Sequence, residues 1–395
     1  MTAPDRLGWP SDPASEGTGL PLEGVRVLDL SRILAGPLCV LVAADLGADV
    51  IKVEAPGGDG VRAFAPPSFG RDATYYLSVN RNRRSVVLDL DAEEGRTVVA
   101  ALARGADAVV ENFLPHQLER LGLAALREEL DGVVWVSVRG AASTGPQADL
   151  PSFDLLAQAR SGLMSVTGTA DGPALKVGAP VADVVTGLYS AIAMLAGLVA
   201  RGAGRARHFE VPLLESTISA LVNQAQGYLA TGVEPRRLGN DHPSIAPYGP
   251  IETGDGPLVL AVATASQFAS LCEAIGAPEL VADPRFASNA ARIEHRVELD
   301  YALRTRFASR GAREWSAVLE AAGVPCGPVL TVASAIEEPQ VRDGGFVAES
   351  TTSAGTFRML RSPIRVDGSW LPVRRPPPTL DQDGEAIRQW VRDAS

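Results

Sequence analysis

The sequence predicts an α/β fold with a parallel sheet, followed by a second, smaller domain of mixed α+β character. Five short runs, 25–30, 50–54, 85–90, 108–112 and 133–138, are rich in β-branched residues and apolar throughout instead of alternating. That is the pattern of strands covered on both faces, as parallel strands are. Helical patterns separate the runs, and a length of 395 residues suggests two domains, not one.

The elements follow in order. After the first run, Pro37 lies just beyond Ala35-Gly36, a favourable first-turn position, and 39–46 supplies an apolar helix face. Between the third and fourth runs, 93–104 places Val98, Val99, Ala101 and Leu102 on a second helix. The middle of the chain reads as three helices, 153–164, 184–200 and 212–229, the last with Pro212 at its start and Glu215 in its first turns. A turn-rich stretch over 235–250 then leads into a hairpin: Ile251 and Glu252 enter Thr253-Gly254-Asp255-Gly256, and 258–263 returns. Helical patterns at 267–275, 293–308 and 312–322 complete a smaller domain over 232–328. Residues 1–20, rich in Pro, Ser, Gly and Asp, read as a loose tail. The C-terminal end is proline-rich through Pro376, Pro377 and Pro378 and closes with a short amphipathic helix, 384–391.

Composition removes several classes of function. Thirty-six Lys+Arg against 47 Asp+Glu give a net charge of -11, so no overall positive field holds nucleic acid or an anionic membrane surface. A small anionic ligand must be met by a local cluster of arginines or lysines. Cys39, Cys272 and Cys326 are far apart, and His116, His208, His242 and His295 form no ligand pair, so neither a disulfide framework nor a metal site is expected. The most apolar stretch, 184–200, is interrupted by Thr186, Gly187 and Ser190 and falls short of the about 20 apolar residues that span a bilayer. It reads as a buried helix. The N-terminus lacks the basic start and apolar run of a signal peptide, which points to a cytoplasmic protein.

The turn after the first run, Ser31-Arg32-Ile33-Leu34-Ala35-Gly36-Pro37, has no GxGxxG, so a nicotinamide-dependent enzyme is not indicated. Gly202-Ala203-Gly204-Arg205 follows a helix instead of a strand and reads as a helix stop. A basic knot, Asn80-Arg81-Asn82-Arg83-Arg84, precedes the third run, with Arg120 and Arg139 further on. Two readings stand for it. Arg81 and Arg84 hold phosphates through forked, charge-assisted hydrogen bonds, or the segment is a solvated loop paired with Asp and Glu. Asp183 opens the long apolar helix, where an N-cap is the structural reading. The same N–H groups and helix dipole favour an ionised carboxylate, which can act as a nucleophile.

With these residues in view, the chain resembles the family III CoA-transferases, also called the CaiB/BaiF family, which include formyl-CoA and carnitine CoA-transferases and α-methylacyl-CoA racemase. The resemblance covers about residues 22–347. It is carried by Leu28-Asp29-Leu30-Ser31 with Ala35-Gly36-Pro37, by Asp45-Leu46-Gly47-Ala48-Asp49-Val50-Ile51-Lys52-Val53-Glu54, by Asn80 to Ser85 and by Glu111-Asn112-Phe113. Ser161-Gly162-Leu163-Met164 with Thr167-Gly168, Ala182-Asp183 with Thr186-Gly187, and Leu238-Gly239-Asn240 through Ala246-Pro247-Tyr248-Gly249 add to it. The resemblance implies a discontinuous, Rossmann-like CoA-binding domain, 21–231 with 329–395, a small domain in between, and an interlocked homodimer of ring-like chains. It places the catalytic aspartate on Asp183 and CoA-contacting positions on Ile33, Leu34, Asn112, Phe113, Arg120 and Arg139.

The implied chemistry moves CoA from an acyl-CoA thioester to a carboxylic acid through an aspartyl mixed anhydride and an aspartyl-CoA thioester, with CoA as substrate and no tightly bound cofactor. Several departures from the family pattern bear on this. The racemase branch carries a histidine directly before the aspartate matching Asp154, and here that residue is Phe153. Racemization therefore ranks second, since exchange at the α carbon needs an acid and a base on opposite faces. Gly140-Ala141-Ala142 replaces a Gly-aromatic-Gly pattern, which suggests a pocket for an acyl group bulkier than formate or oxalate and leaves a non-catalytic CoA-binding homologue as a third reading. No run of glycines closes the site, and Gly239 and Asn240 lie in the segment that replaces it. His116 and His242 read as loop-shaping residues.

Overall fold

The computed structural model describes residues 8–201 and 208–394. Gly202-Ala203-Gly204-Arg205 therefore lies outside the described residues. The chain divides into two compact units: Met1–Leu163, Lys176–Gly232 and Pro339–Ser395 form the first, and Met164–Leu175 with Val233–Glu338 the second.

The first unit is built on six parallel strands, β1 (Arg26–Asp29), β2 (Asp49–Glu54), β3 (Arg84–Val87), β4 (Ala108–Glu111), β5 (Val134–Arg139) and β6 (His208–Pro212), in the order β3-β2-β1-β4-β5-β6. Five of them coincide with the apolar runs. Every residue of β2, β4 and β5 is buried, because helices cover both faces. On one face Leu28, Ile51, Val86, Val109 and Trp135 pack with Val99 and Leu102 of helix α2 (Glu93–Gly105) and with Ile387 and Val391 of helix α5 (Gly384–Ala394). On the other, Val27, Val50, Ala108, Val134 and Val136 meet Cys39, Val40 and Ala43 of α1 (Ala35–Asp45) and Ala191 and Met194 of α4 (Val181–Ala200). Alternate side chains thus enter opposite layers, as the period of two requires.

Strand order reverses between β1 and β4, which makes the carboxyl ends of these two strands the switch point where open α/β sheets bind ligands. Residues 31–35 and 112–114 lie there.

Several features differ from the expectation. Residues 8–20 are not a loose tail: Trp9 is buried and donates to Asp49 Oδ2 at 2.8 Å, and Asp12 pairs with Arg375. Their apolar and charged anchors lie too sparsely among Pro and Gly to read as structure. The segment 212–229 is two helices, Leu213–Ser219 and Asn223–Thr231, separated at Val222, whose φ is +42°. The long helix α4 starts at Val181, earlier than expected, with Pro180 and not Asp183 at its N-cap. At 20 residues it is long and apolar enough to cross a membrane by length and composition, yet it packs here against α1 and the sheet.

The second unit contains an antiparallel sheet in which Tyr248–Glu252 pairs with Pro257–Ala261 as the expected hairpin, and Cys326–Pro328 joins the far side. Phe268, Leu271, Leu299, Leu303, Phe307, Trp315 and Leu319 form its core. The helical pattern at 293–308 resolves into Asn289–Glu294 and Arg296–Phe307.

Candidate active site

Two adjoining cavities open at the switch point. One, of about 400 Å³, is lined by Ile33, Leu34, Asn112, Phe113, Arg139 and Asp183 among others; the second, of about 210 Å³, includes Lys52, Asp59, Asp91 and Arg120. Arg32, Phe113 and Gln117 border both, so the two form one groove along the carboxyl edge of the sheet.

Asp183 reaches the larger cavity from the first turn of α4. Gly187, one turn further on, lets that helix press against α1: a Cβ there would stand 2.8 Å from the Ala35 carbonyl oxygen and 3.0 Å from Leu38 Cβ. Thr186 donates to the Ala182 carbonyl at 2.7 Å and turns its hydroxyl inward. The Ala-Asp-x-x-Thr-Gly pattern is thus a close helix crossing that carries a carboxylate at its end.

The first-turn N–H groups of α4 are not capped by Asp183. Asp154, at the start of helix α3 (Asp154–Arg160), accepts from Ala182 N at 2.9 Å and from Asp183 N at 3.4 Å. Gln158 Nε2 donates to its other oxygen at 2.7 Å. The Asp183 carboxyl accepts no hydrogen bond from the described residues, is only 8% exposed, and has its pKa pushed up to about 7 by burial and by the neighbouring Asp154 charge. The expectation of a helix-stabilised, firmly ionised aspartate is corrected: desolvation and a like charge outweigh the dipole. Tyr75 stands within electrostatic reach of both, its pKa raised to about 12 by burial and by Asp183 and Asp154.

The remaining candidates fall in different places. Asn112 spans the backbone of Arg32, its Oδ1 accepting from Arg32 N at 3.0 Å and its Nδ2 donating to Arg32 O at 2.8 Å. This sets the Arg32 guanidinium 5.2 Å from the centre of the Phe113 ring. Arg139 is buried in a forked pair with Glu111, at 3.0 and 2.9 Å, and donates to the Phe113 carbonyl at 2.8 Å. Arg120 is exposed and paired with Asp91. Arg81 and Arg84 are not brought to the groove. Arg81 is buried against Asp45 and Arg84 against Asp49, the latter at 2.8 Å. Their neighbour Arg83 holds Asp29 at 2.8 Å and the Pro37 and Val79 carbonyls. Neither reading of the basic knot holds as stated: the arginines are paired with acidic residues of β1, α1 and β2, but the pairs are buried and not on a solvated loop.

Sequence reasoning missed Arg32, Asp154 as a cap, and Tyr75. A lone arginine in a turn carries no periodic signal, and a cap arriving from another helix has no local spacing. Ala141 does not line the larger cavity, whereas Gly140 does; a Cβ on Gly140 would meet Ser152 Cβ at 2.8 Å. Phe153 is 56% exposed and lines the cavity where a racemase-type histidine is expected. Among the described residues, no group of three or more His, Cys, Asp or Glu gathers as a metal site.

Comparison with known proteins identifies the family. The succinate–glutarate CoA-transferase of Agrobacterium fabrum is 39% identical over 373 residues, covering 92% of this chain and 93% of that protein. The acetyl-CoA:oxalate CoA-transferase of Acetobacter aceti is 36% identical, covering 93% and 95%. A crystal structure of a CaiB/BaiF family protein from Brucella suis superimposes with a TM-score of 0.84 at 38% identity, covering 94% of this chain and 99% of that one. The model of CoA-transferase family III matches residues 22–384. The chain is a CoA-transferase, and it belongs to CoA-transferase family III.

Proposed function

We propose that the protein moves CoA between small dicarboxylic acids through covalent intermediates on Asp183. The observation that carries this is a carboxylate at the end of the switch-point groove with no hydrogen-bonding partner among the described residues and a pKa pushed up to about 7. A carboxylate largely removed from solvent and unpaired with protein groups is more reactive towards an acyl carbon than one stabilised in water. The dicarboxylic class is taken from relatives named for succinate, glutarate and oxalate.

The ionised Asp183 attacks the thioester carbonyl. Its oxygen bonds to the acyl carbon, the C–S bond breaks, and CoA leaves as thiolate, giving an aspartyl-acyl anhydride. The thiolate attacks the Asp183 carbonyl, the anhydride C–O bond breaks, and the first acid departs as carboxylate, leaving aspartyl-CoA thioester. An acceptor carboxylate reverses both steps. Ile33, Leu34, Asn112 and Phe113 shape the CoA channel, Arg32 and Arg120 meet its phosphates, and Arg139 fixes the Phe113 carbonyl. Burial and the two nearby carboxylates keep the Tyr75 hydroxyl protonated. Arg81 and Arg84 act structurally, bracing α1 and β2.

Exposed Leu155 and Leu156 on α3, and Leu188, Tyr189 and Ile192 on α4, support a homodimer interface on the helices that flank Asp183. An interlocked arrangement would survive dilution to nanomolar concentration in light scattering.

The test incubates the enzyme with succinyl-CoA and hydroxylamine. A hydroxamate on Asp183, and CoA exchange into glutarate that disappears in Asp183→Ala, supports the reading. α-Proton exchange without labelling of Asp183 would replace it by an epimerase.

A further inference from the structure

The turn after β1 is held by side chains from three other segments. Lys52 Nζ donates to the Ser31 carbonyl at 2.8 Å, Asn112 spans the backbone of Arg32, and the Asp59 carboxylate accepts the Ile33 N–H with both oxygens at 3.2 Å. Each of three consecutive residues therefore has its backbone fixed from a distance in sequence.

Ile33 has a φ of +71°. For a β-branched residue this left-handed conformation forces Cβ against the neighbouring carbonyl, and it persists only where the surroundings over-determine it. Asp59 supplies that constraint and is itself fixed. Its carboxylate takes the Val61 N–H at 3.1 Å and lies 3.0 Å from Lys52 Nζ, while its own N–H donates to Glu54 Oε2 at 2.9 Å. The Lys52 and Asp59 side chains are 0% and 1% exposed, and Lys52 also stands 3.7 Å from Asp29. Both border the smaller cavity, yet their charges are answered by each other and by backbone.

We propose that Asp59, braced by Lys52, is a positioning residue that holds Ile33 in its left-handed conformation and so aims Ile33 and Leu34 into the groove that ends at Asp183. This rests on the reading of that groove as the site of the CoA thioester. Without the carboxylate, Ile33 relaxes towards negative φ. Because α1 begins at Ala35, the rotation is taken up by residues 32–34, which form the wall of the groove. Asp183, carried by a different helix, keeps its place, so affinity for CoA suffers more than turnover of bound substrate.

A purely stabilising ion pair would also weaken the protein when broken, and glycine separates the two roles. Glycine adopts positive φ without steric cost, so Ile33→Gly removes the need for Asp59 at this position and leaves the Lys52 pairing untouched. The experiment is a double-mutant cycle on the full chain, with CoA binding measured by calorimetry, kcat by coupled assay and stability by thermal unfolding. Asp59→Ala weakens CoA binding about tenfold or more with kcat changed less than about threefold; added to Ile33→Gly, it costs less than about threefold in binding, though the loss of stability is the same in both backgrounds. If Asp59→Ala does not fold, Lys52→Met with Asp59→Leu, which removes both charges together, takes its place in the cycle. Equal binding costs in the two backgrounds, or unchanged binding in Asp59→Ala, overturns the proposal while the CoA site stands. A wild-type protein that binds no CoA overturns the site assignment and the proposal with it.

Discussion

Asp154 caps the helix that carries Asp183, accepting its N–H at 3.4 Å and that of Ala182 at 2.9 Å, so one carboxylate fixes the position of the other and raises its proton affinity. Placement and electrostatics are tied to the same side chain. The proposed chemistry requires Asp183 ionised, and burial with the Asp154 charge pushes its pKa up to about 7. The value of kcat/KM for an acyl-CoA should therefore rise with pH, bend near 7 and stay level above it. Asp154→Asn keeps an oxygen for the cap but removes the charge, and should move the bend towards lower pH. Asp154→Ala should also lose about 1 kcal/mol of stability with the cap. A bend unmoved in Asp154→Asn would show that burial alone sets the value.

The same raised pKa makes Asp183 a burden on the fold. The folded state holds the proton up to about pH 7, whereas the unfolded chain releases it near 3.8. Between these values the folded state binds more protons, so stability falls as pH rises and is lowest above 7. At about 1.4 kcal/mol per tenfold change in proton affinity, the ionised carboxylate costs up to ~4 kcal/mol. Asp183→Asn should unfold at a higher temperature than wild type at pH 8, with the advantage shrinking towards pH 4. A constant advantage across that range would contradict the assignment.

What the sequence revealed and what it hid follow from physical range. Strands such as 50–54 and 133–138 are apolar throughout because helices cover both faces, and that signal is local. β6 carries His208 and Glu210 at the sheet edge, so it shows no apolar run. The break at Val222 has neither Gly nor Pro to mark it. Arg81 and Arg84 stand out as charge, but their partners Asp45 and Asp49 lie more than thirty residues away, and only the fold shows that the charge is spent internally. Asp183 itself was legible through its motif. Its environment was not, since Asp154 reaches the Asp183 N–H from another helix.

Gly187 should tolerate no side chain. A methyl group 2.8 Å from the Ala35 carbonyl oxygen must displace either α1 or α4, both already packed against the sheet. Gly187→Ala is expected to lose about 1–3 kcal/mol of stability from overpacking. It should lower kcat more than the gain in intrinsic helix propensity would suggest, because Asp183 sits one turn away. Unchanged stability and full activity in Gly187→Ala would mean that the two helices slide apart freely.

Arg120 and Asp91 form an exposed pair, with side chains 57% and 66% accessible, and such pairs contribute about 0–1 kcal/mol. Asp91 nevertheless competes with any phosphate that approaches Arg120 across the smaller cavity. Asp91→Asn should leave the melting temperature nearly unchanged and lower the KM for acyl-CoA, with the gain shrinking as salt screens the exposed charges. Arg32 has no carboxylate partner among the described residues, and its guanidinium stands over the Phe113 ring at the groove. Arg32→Ala should raise the same KM about tenfold, in line with the loss of a charge-assisted hydrogen bond, with little change in kcat. A higher KM in Asp91→Asn would show instead that the acid orients Arg120 for its ligand, and the pair would then be part of the binding surface.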